Sequence, residues 1–332
     1  MILEELVGTR LAVGISGTEA TPELIAHLRR IRAQSLVVFE RNFASPEQFT
    51  TLIERLEASL ERRLLVMVDH EGGRVVRFRS GVTPFPDSLT AGRASDAEAI
   101  ERQGAVEAEE LKRLRVQVNL APCVDVLVEG SDPVIGDRSY GSDPATVSAL
   151  AVARIRGLQR HGVAACAKHF PGLGAVARDP HKVLPTITLP RETLQAVHLA
   201  PFRAAIQAGV AMVMSSHVCY PTLGDPAGVP ATFSPRLIRR LLRHELAFSG
   251  LIATDDLMMG ALRAFGTTGQ AAVLASQAGH DFLLVCSDVA AQEETFNILC
   301  KYYLNNKLER RELEESTARI LALRGRILAA LP

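Results

Sequence analysis

The chain has 332 residues, of which 47% are hydrophobic and 22% charged, with 37 Lys plus Arg balanced by 37 Asp plus Glu. That length suits one α/β barrel with a large core, and zero net charge gives no electrostatic pull toward nucleic acid or an anionic membrane surface. The start, Met1-Ile2-Leu3-Glu4-Glu5-Leu6, has no basic stretch ahead of an apolar run, and no apolar run reaches the roughly 20 residues of a membrane span, so the expected location is the cytoplasm, with neither membrane nor nucleic acid as partner.

In chain order, short continuous apolar runs alternate with longer amphipathic ones. A strand is predicted at 11–15, then a helix over 21–34 that Thr21 can cap. A strand at 35–39 precedes a helix over 46–61 behind Ser45. Strands at 64–68, 116–121 and 163–167 follow. A helix over 191–208 leads to a strand at 211–215, and a helix over 235–248, behind Ser234, leads to one at 251–254. A helix over 269–278 and a strand at 281–286 come next, and two helical stretches, 290–305 and 310–329, close the chain. The strand runs are continuous rather than alternating, as expected when both faces are buried.

Eight strands with helices between them predict an α/β fold, a single-domain (β/α)8 TIM-type barrel over 1–332, with the C-terminal helices 290–329 packing on it. The alternative is an open doubly wound sheet. It needs a glycine-rich nucleotide loop after an early strand, and Gly14-Ile15-Ser16-Gly17 is a poor match. The five cysteines form no Cys-x-x-Cys pair, and Cys123, Cys166, Cys219 and Cys286 lie in apolar runs, as small buried hydrophobes do. No tight ligand cluster points to a metal, and no cofactor is expected.

In a barrel the loops after the strands' C-terminal ends form the active face, and the ionisable groups gather there. Asp69-His70-Glu71-Gly72-Gly73-Arg74 follows the strand at 64–68. Asp125 follows 116–121, with Asp137-Arg138 further on. Lys168-His169 and a glycine-rich loop follow 163–167. His217 follows 211–215, and Asp255-Asp256 follow 251–254. On the glycine-rich loop Asp179 and His181 stand two apart; a carboxylate bonded to one ring nitrogen fixes the tautomer and frees the other nitrogen for proton transfer.

Four ordered segments, VDHEGGRVVRF (68–78), GDRSYGSDP (136–144), KHFPGLGAVARDPHK (168–182) and GLIATDDLMMGAL (250–262), together resemble glycoside hydrolase family 3 enzymes of the bacterial β-N-acetylglucosaminidase type, over essentially the whole chain. The resemblance implies a retaining exo-β-N-acetylglucosaminidase that releases GlcNAc from cell-wall muropeptide fragments during peptidoglycan recycling. It implies Asp255 as nucleophile and the Asp179–His181 pair as acid/base. Asp69, Arg74, Arg138, Lys168 and His169 would bind sugar hydroxyls. His217 is placed with them, although a satisfied core histidine fits equally well. Neighbouring Asp255 and Asp256 should point to opposite sides of an extended chain, so only one should face the substrate. Glu71 is expected to anchor a loop, and Asp125 and Asp137 to form salt bridges at the barrel mouth.

Leu173, His70 and Pro180 depart from the residues common in the family and bear on substrate preference and loop behaviour. The partner is a small carbohydrate or muropeptide, and the chain is expected to be a monomer or weak homodimer. Two rival activities share the site: a β-N-acetylglucosaminide phosphorylase, since an imidazole repels phosphate less than a carboxylate does, and a β-glucosidase. An inactive sugar-binding sensor is the non-enzymatic alternative.

Overall fold

The structure is a computed structural model, and it describes residues 1–328. Eight parallel strands follow in order: β1 Leu11–Gly14, β2 Ser35–Val38, β3 Leu65–Val68, β4 Val118–Asn119, β5 Ala164–Phe170, β6 Met212–Ser215, β7 Leu251–Asp256 and β8 Phe282–Val285. They close into a barrel in sequence order. β1 pairs with β2 through Ala12↔Ser35 and with β8 through Leu11↔Leu283, so neither is an edge. This closure overturns the doubly wound alternative, whose sheet would leave two free edges.

Residues two apart on a strand share a face. One set fills the barrel: Ala12, Val37, Leu65, Met67, Val118, Cys166, Met212 and Phe282 belong to one buried cluster. The other set, including Val13, Leu36, Val66 and Ile252, faces the surrounding helices. The last helix, Arg310–Leu328, contributes Ile320, Leu323 and Ile327 to the interior cluster. It therefore closes the barrel end opposite the loops that follow the strands. Ala329, where the predicted closing helix ends, lies outside the described residues.

All eight strands fall where the apolar runs predict them, but two reach further. β5 continues through Lys168 and His169 to Phe170, and β7 continues through Asp255 and Asp256. The charged side chains that a functional strand end carries interrupt the apolar run from which its length is read. The predicted caps form: Thr21, Ser45 and Ser234 accept the amides of Leu24, Gln48 and Leu237. The helix expected over 191–208 is interrupted by a π turn at Leu194–His198 just ahead of Pro201, which has no N–H to give the preceding turn.

Two further helices, Ala97–Arg113 and Pro144–Arg160, are absent from the sequence reading. They pack closely on each other, with Gly104 against Gly157. Their buried faces carry Gln103, Glu107 and Arg154, which break the apolar periodicity. Arg154 is fixed by Glu107 through two bonds of 2.7 Å, and its Nη2 also donates to the Glu71 carbonyl at 3.1 Å. Asn119 on β4 exchanges two bonds with the backbone of His70. The turn after β3 is thus held from beneath by two elements.

Candidate active site

A cavity of about 420 Å³ opens above the C-terminal strand ends, lined among others by Asp69, Arg77, Arg138, Lys168, His181 and Asp255. One wall is a compact charge cluster. Lys168, with a side chain only 2% exposed, donates from Nζ to Asp69 at 2.6 Å and pairs with Glu71 at 2.7 Å. Arg138 donates two bonds of 2.8 Å to the two carboxylate oxygens of Glu71. Arg77 Nη2 stands 3.8 Å from Asp69, and its guanidinium lies 5.7 Å from the Phe39 ring centre.

Burial opposes charge on Glu71, but Arg138 and Lys168 overcome it and hold its carboxyl well below the usual range. Burial likewise opposes the Lys168 cation, and Asp69 with Glu71 reverses that and raises its pKa. Both groups stay ionised at neutral pH. A carboxylate such as Asp69 can accept from two hydroxyls, while the cations beside it supply donors.

His169 is aimed by a buried carboxylate. Its Nδ1–H donates to Asp125 at 2.8 Å, and Asp125 also accepts the amides of His169 and Leu173. Burial pushes the Asp125 carboxyl up, but His169 and the Leu173 amide outweigh it and leave it lowered. Ligand atoms of Cys123, Asp125 and His169 lie within 4.8 Å of one another, close enough for metal ligands; here the Asp125 oxygens are already filled by four protein donors, the fourth being the Cys123 thiol at 3.3 Å.

On β7, Asp255 accepts the Asp256 amide at 2.8 Å. Burial works against its charge, yet the nearby imidazoles of His169 and His217 keep its carboxyl below the ordinary range. Asp256 behaves oppositely. Burial, then the Asp255 charge, raise it to about 6, although the amides of Met258 and Cys286 donate to it. Asp256 lines the cavity alongside Asp255 instead of turning away from it. The register shift between β7 and β8 at Ala253/Asp256 breaks the regular alternation.

Across the cavity, His181 Nδ1–H donates to Asp179 at 2.7 Å, and the His181 amide donates to the same oxygen at 2.9 Å. The His181 side chain is 58% exposed, with Nε2 left for a substrate. Burial pushes Asp179 up slightly, but its bonds to His181 bring the carboxyl below its usual value. The bond preceding Pro180 is trans.

Asp255, His181, Asp69, Arg138, Lys168 and His169 therefore share one cavity. Arg74 reaches its rim, where it pairs with Asp137 at 2.5 Å and donates to the carbonyls of Pro133 and Val134. Besides Lys168, Asp69 has a second cation near it, Arg77, three residues along the same motif, which sequence reading missed. Among nearby residues the signal was available only as spacing from Asp69. His217 is buried with both ring nitrogens engaged, Nδ1 with Thr232 at 2.6 Å and Nε2–H with the Asp256 carbonyl at 3.0 Å. It supports the β7 end from behind. Asp125 is an interior anchor, whereas Asp137 does form a bridge at the mouth. Of the family departures, Leu173 is core-buried and His70 packs on Phe78, its pKa lowered to about 4 by burial and Arg154.

Known proteins converge on the same class. The family model for the glycosyl hydrolase family 3 N-terminal domain matches residues 3–323. A beta-hexosaminidase of Idiomarina loihiensis is 38% identical over 85% of this chain and 84% of that protein. A glycoside hydrolase family 3 β-N-acetylglucosaminidase from Paenibacillus sp. str. FPU-7 superposes with a TM-score of 0.96 at 36% identity, covering 99% of this chain and 63% of that longer one. NagZ from Neisseria gonorrhoeae, solved with N-trifluoroacetyl-D-glucosamine, gives 0.80 at 30% identity and 97% coverage of both chains. Fold and relatives together define a glycoside hydrolase built on a (β/α)8 barrel. The chain belongs to glycosyl hydrolase family 3.

Proposed function

We propose that this chain is a retaining, exo-acting β-N-acetylglucosaminidase. The observation that carries this is one cavity holding an ionised carboxylate, Asp255, on its floor and a carboxylate-held imidazole, His181, at its edge. Asp69, Lys168, Arg77, Arg138 and His169 hold the terminal sugar by its hydroxyls. Asp255 attacks the anomeric carbon while protonated His181 gives its Nε2 proton to the departing oxygen. A glycosyl ester on Asp255 results. His181, now neutral, takes a proton from water as that water attacks the anomeric carbon, which breaks the bond to Asp255 and frees its carboxylate and the sugar. Asp179 keeps the imidazole oriented through both halves.

The neighbours' names support GlcNAc as the sugar, and the family resemblance supports a muropeptide fragment as natural substrate, in a cytoplasmic recycling role, with the chain acting as a monomer or weak homodimer. Hydrolysis of an aryl β-GlcNAc by wild type, Asp255→Ala and His181→Ala tests the roles. Asp255→Ala should abolish turnover. His181→Ala should slow it and flatten its pH profile. Equal turnover of an aryl glucoside would favour the β-glucosidase, and inert wild type on every aryl sugar would favour the sensor. A second activity, phosphorolysis, is favoured by the imidazole acid/base and the cavity cations Arg77 and Arg138, which do not repel an anion. Unchanged turnover without phosphate rejects it.

A further inference from the structure

We propose that Gly260 is a positioning residue for the acid/base loop: lacking a side chain, it lets the backbone of residues 180–182 dock on the turn that follows Asp255. The inference rests on the role given to His181 above. The Gly260 amide donates to the His181 carbonyl at 3.0 Å, and the Ala261 amide donates to the Pro180 carbonyl at 3.1 Å. A Cβ on Gly260 would stand 2.5 Å from the His181 carbonyl oxygen and 2.7 Å from that of Lys182. Gly260 does not occupy the left-handed region, unlike Gly172 at φ 130°. Its own backbone therefore tolerates alanine, and the requirement for glycine is space for the docked loop.

The two sides of this contact are unequal. The turn beyond Asp255 is tied down: the Leu257 amide donates to Leu284 at 3.0 Å, and the Met259 amide to Asp256 at 3.1 Å. The first half of the loop is fixed elsewhere, since the Val128 and Asp132 amides donate to Gly174 and Val176 at 3.0 and 2.7 Å. The second half, with His181 largely exposed, is the part free to yield. A methyl at 260 displaces Asp179 and His181 together, leaving their mutual bond intact but moving Nε2 away from the leaving oxygen. A misplacement of about 1 Å can cost on the order of 100-fold where geometry governs the step.

The defect should be confined to steps that need a proton. For Gly260→Ala, kcat/KM on 2,4-dinitrophenyl β-GlcNAc, whose leaving group needs no acid, should stay within about threefold of wild type. On phenyl β-GlcNAc it should fall by about 30-fold or more, within the range general acid catalysis supplies. Azide, which needs no base to attack the glycosyl ester, should restore kcat on the dinitrophenyl substrate. His181→Ala is run alongside. If His181→Ala shows this leaving-group split and Gly260→Ala does not, or loses both substrates equally, the positioning role is overturned while the acid/base assignment stands. If His181→Ala lacks the split, both fall. Should Gly260→Ala fold poorly by its melting temperature, Ala261→Pro removes the amide that holds Pro180 and turns its ring toward that carbonyl, at the second position of the turn Gly260–Phe265. It should show the same split, and its absence there overturns the proposal.

Discussion

Glu71 is the hub of the pocket's charge cluster, and removing its charge should be costly. In Glu71→Gln the side chain keeps its shape but loses the anion that receives two bonds from Arg138 and one from Lys168, all 2.7–2.8 Å. Lys168 retains Asp69, but Arg138 is left facing one neutral amide oxygen in place of two anionic ones, besides the Val134 carbonyl and a 3.4 Å contact to His169. Leaving a buried cation without its partner costs about 3–5 kcal/mol. A chain of this length unfolds with an entropy of roughly 0.7 kcal/mol/K, so the melting temperature should drop by about 4–7 °C. Because Glu71 is held well below the usual carboxylate range, its contribution is complete above the unfolded value of about 4.3 and is lost only as pH falls through the folded one. The gap between wild type and variant should therefore be constant from pH 6 to 8. Differential scanning fluorimetry across that window reads both quantities. A drop under 1 °C, or a gap that shrinks between pH 8 and 6, would refute the charge-hub account.

Asp256→Asn should remove a pH dependence. With its pKa raised to about 6, Asp256 binds a proton more tightly folded than unfolded, so stability is lost as pH rises through about 4 to 6. Asparagine keeps an acceptor for the Met258 and Cys286 amides, and denaturant titration should find it more stable than wild type at pH 8 by up to roughly 3 kcal/mol, with no gain at pH 4; parallel pH curves would contradict this. Gly174→Ala places a methyl 1.8 Å from the Val126 carbonyl oxygen and should open the loop, read as faster protease cleavage within residues 171–182. Leu323→Ala, at the barrel end opposite the site, should lower stability by about 2–5 kcal/mol while leaving kcat/KM at 25 °C unchanged; a matching loss of activity would mean that the two barrel ends are coupled.

The barrel was legible because its strands are buried on both faces and read as uninterrupted apolar runs. The helices Ala97–Arg113 and Pro144–Arg160 were not, since a buried Glu107–Arg154 pair and a glycine contact interrupt the apolar stripe that betrays a helix. At the site, Asp255, Lys168 and His181 were singled out by their place after a strand or on its loop, and the fold brings all three to one cavity. Arg74 was named and Arg77 was not, although both line the cavity, because both follow the same glycines and only the fold of the turn decides which guanidinium returns to Asp69. His217 stayed open between a binder and a satisfied core histidine from its strand position alone. Its partners, Thr232 and the Asp256 carbonyl, come from segments 15 and 39 residues away, and no local pattern announces them.

The central claim, covalent catalysis by Asp255, is tested most directly by trapping. A 5-fluoro-GlcNAc fluoride, whose ring fluorine slows both steps while the fluoride leaving group speeds the first, should accumulate a glycosyl-enzyme. Mass spectrometry of the digested protein should then place one sugar on the peptide carrying Asp255, and fragment ions should assign it to Asp255 and not Asp256. Turnover of that reagent with no covalent label, or a label on Asp256 or Asp69, would contradict the account.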